Sequence, residues 1–328
     1  MLGDVRDLLE GIGLPRFPFR ELTWSERARK ARARLSRARF TPALAPPGPP
    51  ERRGPDEPRP WGFTVALVAL RPGTGRTTLC ELIPEVLQAA GRTALSVELC
   101  PSSRPSGEAG GEPGWAQDGT RSIARMLASG ACRLPLGNLG PDELERVEEC
   151  AAKDPEWLAA HLCALEAARA DLVLLEPPPG ESPLLVQALS CADEALALLS
   201  PDLEGWASAP LLASLVERHL RGGRSRATFV INRFDARRSL DREIRAALED
   251  LALSPFSLRI VQLDLAVEQA RSHGQSLFVE AADSQAAGDV QALAEWLLWR
   301  RQQSSGTGAW PIPDARERCE CPKLDSLA

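Results

Sequence analysis

Apolar residues along this chain fall into short runs of strand length, separated by longer stretches in which apolar positions recur every three or four residues. The strand-like runs lie at 63–70, 93–98, 171–176, 194–199, 227–231 and 258–262. The helical spacing predicts helices at about 76–90, 141–169 with a break near Asp154-Pro155, 181–190, 206–221, 239–252, 265–273 and 283–302. Strand and helix alternate without an internal repeat. That order predicts an α/β fold, a doubly wound, mostly parallel sheet with helices on both faces.

The pattern has edges. In residues 1–40, Asp4 to Pro15 reads as a short helix ending near Gly11, and Thr23-Trp24-Ser25-Glu26 reads as a capping box opening a second helix to about Arg39. This segment carries ten basic and five acidic residues, a charge of +5 against −11 for the remaining 288 residues. Such a helix is either a solvated face or a contact for an acidic partner, an anionic membrane or nucleic acid. From Thr41 to Pro60 eight of twenty residues are proline, too many for helix or sheet, so 41–60 reads as a semi-rigid linker. The α/β pattern then fills 61–302. Residues 303–328 are turn-forming and mixed in charge, the composition of a disordered tail.

At 328 residues and 44% hydrophobic the chain can bury a full core. No apolar run is long enough to span a bilayer, and the N-terminus lacks a signal-peptide pattern, so a cytoplasmic location is expected. Eight cysteines, at 80, 100, 132, 150, 163, 191, 319 and 321, sit in scattered apolar contexts, which predicts buried reduced thiols. Cys319 and Cys321 are the one close pair, with no neighbouring ligands to complete a zinc site. Lysine occurs only at 30, 153 and 323 while arginine is abundant, so an arginine here can stand at a position suited to lysine.

That bias matters at Val65 to Thr78, where a buried-strand pattern stops at Arg71-Pro72-Gly73-Thr74-Gly75-Arg76-Thr77-Thr78. Gly73 and Gly75 remove the Cβ atoms that keep backbone N–H groups from an anion, and the following helix aims its N-terminus at the same place. The pattern G-x-x-x-x-G-K-[ST] fits only in part, and K-G-G-x-G-K-T-T fits better with arginine for both lysines and Pro72 for the first glycine. The loop alone also suits an ordinary strand-turn-helix corner.

In parallel sheets ligands bind beyond the carboxyl ends of the strands. Those ends carry Glu98 with Cys100-Pro101 beyond it, Glu176 with Pro177-Pro178, and Asn232-Arg233. Two carboxylates beside a threonine-bearing phosphate loop are what Mg²⁺ on a nucleotide needs. Gly107 to Gly119, rich in glycine, is placed to cover such a site.

With these positions assembled, residues 61 to 301 resemble the deviant-Walker, MinD/ParA-like P-loop ATPases, and within them the BcsQ family that accompanies bacterial cellulose biosynthesis. The loop, Ser96 to Pro101, Leu174 to Pro178, Val230 to Phe234, and Leu263 to Glu280 with the helix after it carry the likeness. Residues 1–40 resemble the small companion BcsR family through Gly13-Leu14-Pro15, Phe19 and Glu21 to Arg27. The resemblance implies ATP and Mg²⁺ as cofactors. Gly73, Thr74, Gly75, Arg76, Thr77 and Thr78 would cradle phosphates, with Thr77, Glu98 and Glu176 at the metal, partly through water. Asn232 and Arg233 would lie at the base, and Arg71 would reach the partner's phosphates in a homodimer sandwiching ATP.

Further partners implied are cellulose synthase subunits at the inner membrane, with residues 1–40 docking in cis or in trans and no nucleic acid. Cys100 stands where hydrolysing relatives place a water-positioning aspartate, so slow or absent hydrolysis is expected. Two other functions stay open, a ParA-like partitioning ATPase on DNA and a degenerate P-loop module that binds no nucleotide.

Overall fold

The computed structural model describes residues 61–100, 115, 133–136, 139, 141–165, 167–220, 226–250 and 257–304. The helices expected in residues 1–40, the linker, the tail with Cys319 and Cys321, Cys132, and all of the 107–119 loop but Trp115 lie outside these residues.

Among these described residues seven strands form one sheet: β1 (Thr64–Val68), β2 (Ala94–Glu98), β3 (Arg133–Leu134), β4 (Leu172–Glu176), β5 (Glu194–Leu199), β6 (Arg226–Phe234) and β7 (Ser257–Gln262). Their order is β3-β2-β4-β1-β5-β6-β7, with every ladder parallel. The helices are α1 (Arg76–Ala89), α2 (Pro141–Lys153), α3 (Trp157–Ala164), α4 (Pro183–Cys191), α5 (Leu203–His219), α6 (Ser239–Asp250), α7 (Leu265–Ser272), α8 (Leu277–Glu280) and α9 (Gln285–Ser304). The expected doubly wound sheet is present. Two short elements were not in the pattern: β3, only two residues long, and α8, a single turn.

The continuous apolar run of β1 marks the middle of the sheet, where both faces are covered, and Val65, Ala66, Leu67 and Val68 are fully buried. One face packs against α1 and α9 through Leu79, Ile83, Leu87, Val290, Leu293 and Leu297, and Ala270 of α7 and Leu277 of α8 join the same core. Pro84 lies inside α1 and has no N–H to give the Cys80 carbonyl four residues back. Ser96 on β2 fills that need, its hydroxyl donating to the Cys80 oxygen, so the helix keeps its proline and is pinned to the sheet.

The break expected near Asp154-Pro155 separates α2 from α3. Gln187 of α4 satisfies the groups freed there. Its carbonyl accepts from Leu158 N at 3.1 Å, and its amide donates to the Ala151 and Asp154 carbonyls at 2.8 and 2.6 Å.

The cysteine expectation needs correcting. Cys80 and Cys191 are buried and Cys100 is partly buried, but Cys150 and Cys163 are exposed, because they fall on the outward faces of α2 and α3. Among the described residues no helix is long and apolar enough to cross a membrane.

Candidate phosphate and metal site

β1 is flanked by β4 on one side and β5 on the other, and the chain leaves it into the loop 69–75 at the carboxyl edge. Gly73 and Gly75 have φ of 77° and 93°, a region closed to most side chains. Gly75 has a second reason to be glycine: a Cβ there would collide with the Asn232 side-chain amide. That amide donates to the Thr74 carbonyl at 2.8 Å, tying the loop to β6.

Gly75 is also the N-cap of α1. It offers no side chain to the first-turn amides, and that turn holds no acidic residue. The helix therefore opens with unspent N–H groups and a positive dipole end. Thr74 is 6% exposed and its buried hydroxyl has no hydrogen-bond partner. An orphaned donor, two left-handed glycines and an uncapped helix start fit a phosphate group.

The Thr77 hydroxyl donates to Oε1 of Glu176 at the end of β4. Burial pushes the Glu176 carboxyl above its ordinary range, against the Thr77 hydrogen bond and the charges of Arg76 and Arg133. Thr77 and Glu176 are thus already paired as a hydroxyl and a carboxylate suited to Mg²⁺.

Other expected residues are occupied differently. Glu98 is buried and forms an ion pair with Arg133 of β3. The Arg76 guanidinium donates to the Pro177 carbonyl and is 8% exposed. Arg71 pairs with Glu204 at 2.5 Å and Asp202 at 3.6 Å, at the start of α5. Thr78 accepts from Arg271 of α7 at 3.0 Å. Asn232 and Arg233 lie within β6, not beyond it, at a register shift where Arg233 takes φ of 61° and turns outward.

Cys100 follows β2 beside these carboxylates. Burial, and the nearby Glu176 and Glu98 charges, raise its thiol to about 11. It is a neutral S–H at physiological pH. Only the thiolate attacks an alkylating agent, and lifting the pKa lowers the thiolate fraction at any pH below it. At neutral pH Cys100 should react with iodoacetamide about 10² to 10³-fold slower than a free cysteine peptide, with the rate rising until pH nears 11. Mass-spectrometric labelling should find exposed Cys150 and Cys163 modified before Cys100. Fast labelling of Cys100 near neutrality would contradict its placement.

The model for the family described as cellulose biosynthesis protein BcsQ matches residues 63–298. The chain belongs to the BcsQ family. A curated relative, the chromosome-partitioning ATPase Soj of Thermus thermophilus, is 26% identical over 255 residues, 73% of this chain and 97% of Soj. Among solved structures, apo McdA from Cyanothece matches with a TM-score of 0.56 at 15% identity, covering 72% of this chain and 99% of McdA. MinD from Pyrococcus horikoshii, solved with Mg-ADP, matches with a TM-score of 0.51 at 18% identity, covering 72% and 96%. Together they place this BcsQ-family chain among the MinD/ParA-type P-loop ATPases and bear out the expected fold. Neighbours of this fold hold nucleotide and magnesium.

Pattern reading missed several residues of this BcsQ-family site. Arg133 lies in a strand too short to show a period, and Trp115, whose indole donates to the Glu98 carbonyl at 2.8 Å, lies in a glycine-rich loop. Asp202 and Glu204 lie before the helix expected at 206–221, whereas α5 starts at Leu203 with Asp202 as its N-cap. Their excess negative charge opposite Arg71 was the available signal.

Proposed function

We propose that this chain is an ATP-binding, dimeric accessory protein of bacterial cellulose biosynthesis that hydrolyses its nucleotide slowly or not at all. It would support the assembly or placement of the synthase from the cytoplasmic side of the membrane. Family membership and the Mg-ADP of the MinD neighbour support the nucleotide and the setting. The observation that carries the slow turnover is Cys100: a protonated thiol stands beside the Thr77–Glu176 pair.

In this reading Gly73, Thr74, Gly75 and the open end of α1 hold the phosphates. Thr77 and Glu176 hold Mg²⁺, with Glu98 behind them. The bound ion would neutralise phosphate charge as it builds up during transfer. Asn232 keeps the loop at its height over β6, and Arg233 projects from the bulge toward the base. Arg71 would leave Asp202 and Glu204 to reach the second protomer. A neutral thiol cannot draw a proton from water as a carboxylate does, so bound ATP would persist.

Replacing Cys100 with aspartate should raise ATP turnover by ~10² to 10⁴-fold. An unchanged rate with ATP binding intact would contradict the role given to this position.

One observation favours a second reading, a P-loop fold kept as an interaction module without nucleotide. Arg76 is bonded to Pro177 and Arg71 to α5, so the two cations of the loop are engaged elsewhere. A chromosome-partitioning function like that of Soj is less favoured, because a net charge of −6 opposes the phosphate contacts on which DNA binding depends.

A further inference from the structure

Glu98 and Glu176 are direct partners in the β2–β4 ladder, at 1% and 2% exposure. Side chains opposite one another in a ladder share a face, and here it is the face that α1 covers: Ser96, two residues before Glu98, bonds to Cys80, and Glu176 accepts from Thr77. Two like charges side by side destabilise a sheet, and burial removes the water that would screen them. The sheet tolerates the pair only with positive charge close by.

Arg76 supplies part of that charge at Glu176, and β3 supplies the part beside Glu98. Arg133 lies opposite Ser96, so its side chain emerges on the same face and toward Glu98. Its guanidinium spans two carboxylates. Nη2 pairs with Glu98, and Nη1 donates to Glu81 on α1 at 3.0 Å. The strand that carries it is held in place from outside, since Trp115 donates its backbone N–H to the Pro135 carbonyl at 3.1 Å and its indole to Glu98 O. The two residues of this edge strand divide the work: Leu134 is fully buried, and Arg133 is brought to the carboxylates.

We infer that Arg133 is a resident counter-ion for the Glu98–Glu176 pair, a positioning residue that lets two buried carboxylates sit in register without a divalent cation and leaves metal capture to Thr77 and Glu176. The second half rests on the nucleotide reading above; the first does not. The guanidinium does in place what a bound metal would otherwise have to do. The nucleotide-free protein should then be stable without Mg²⁺, and Glu98 should serve the site by holding Arg133. Arg133 also counts among the charges that oppose the burial-driven rise at Glu176.

The test is thermal unfolding of the full chain without nucleotide, with and without millimolar Mg²⁺. The unaltered protein should show no shift with Mg²⁺. Arg133→Leu should lower the Tm by roughly 5 °C or more, with Mg²⁺ recovering at least half of the loss. Arg133→Lys should behave as the parent does. Adding Glu98→Gln to Arg133→Leu should restore the Tm and abolish the Mg²⁺ response.

If Arg133→Leu does not fold, folding of the double variant supports the inference, and its failure to fold overturns it. Equal Mg²⁺ shifts in parent and Arg133→Leu, or a lysine variant as impaired as the leucine one, would also overturn it. No nucleotide enters the assay, so a negative result here leaves ATP binding to be decided separately.

Discussion

Glu194→Ala and Arg300→Leu should each destabilise the protein by about 3–5 kcal/mol, the cost of leaving one buried charge without its partner. Glu194 is fully buried at the start of β5, and Arg300 is 6% exposed near the end of α9. Both Nε and Nη2 of the arginine lie 2.8 Å from Oε2 of Glu194, while Thr228 donates to Oε1 at 3.2 Å. The guanidinium also lies 6.0 and 5.9 Å from the rings of Trp296 and Trp299.

The pair fastens the last helix to the middle of the sheet. Replacing both residues with leucine should cost less than the two single losses added together, since the double variant leaves neither charge stranded. Denaturant unfolding of the four proteins measures this. Single variants within about 1 kcal/mol of the parent would mean that water reaches the pair.

Gly75→Ala should be the most damaging single methyl in the phosphate loop. A left-handed φ costs an alanine about 1–2 kcal/mol. The new Cβ would also push the Asn232 amide off the Thr74 carbonyl, losing a buried hydrogen bond worth about 0.5–1.5 kcal/mol. A total near 2–3 kcal/mol follows, with ATP affinity falling ~10²-fold or more as the loop shifts.

Gly73→Ala is the control. Its φ of 77° carries the same backbone strain, but its Cβ would meet nothing within 4 Å. It should cost only the backbone term. If the two glycines prove equally tolerant, the contact between loop and β6 does not hold the site together. Unfolding titrations and a nucleotide-binding assay on both variants decide the matter.

Much of this was legible in the residues. The run Val65 to Val68 and the glycine-bearing turn after it specify a central strand feeding a helix. The acidic strand ends follow from where apolar runs stop. What could not be read were pairings between residues far apart in the chain. Glu194 looks like a polar strand start, and its partner lies 106 residues away on a helix whose apolar residues spread around it.

Arg133 sits in a run too short for a period, and its pairing with Glu98 changes how the second carboxylate of the site is understood. The exposed cysteines teach a related point. Residue type alone placed Cys150 and Cys163 inside, whereas the facing of α2 and α3 puts them outside.

The central claim is that this BcsQ-family chain holds ATP and keeps it. The direct measurement is to purify the full chain with Mg²⁺ and ATP, pass it through gel filtration, and identify the nucleotide that elutes with it. Intact ATP in a peak of dimer size is the predicted result. ADP would show Cys100 to be no impediment to hydrolysis, and a protein peak without nucleotide would contradict the account at its root.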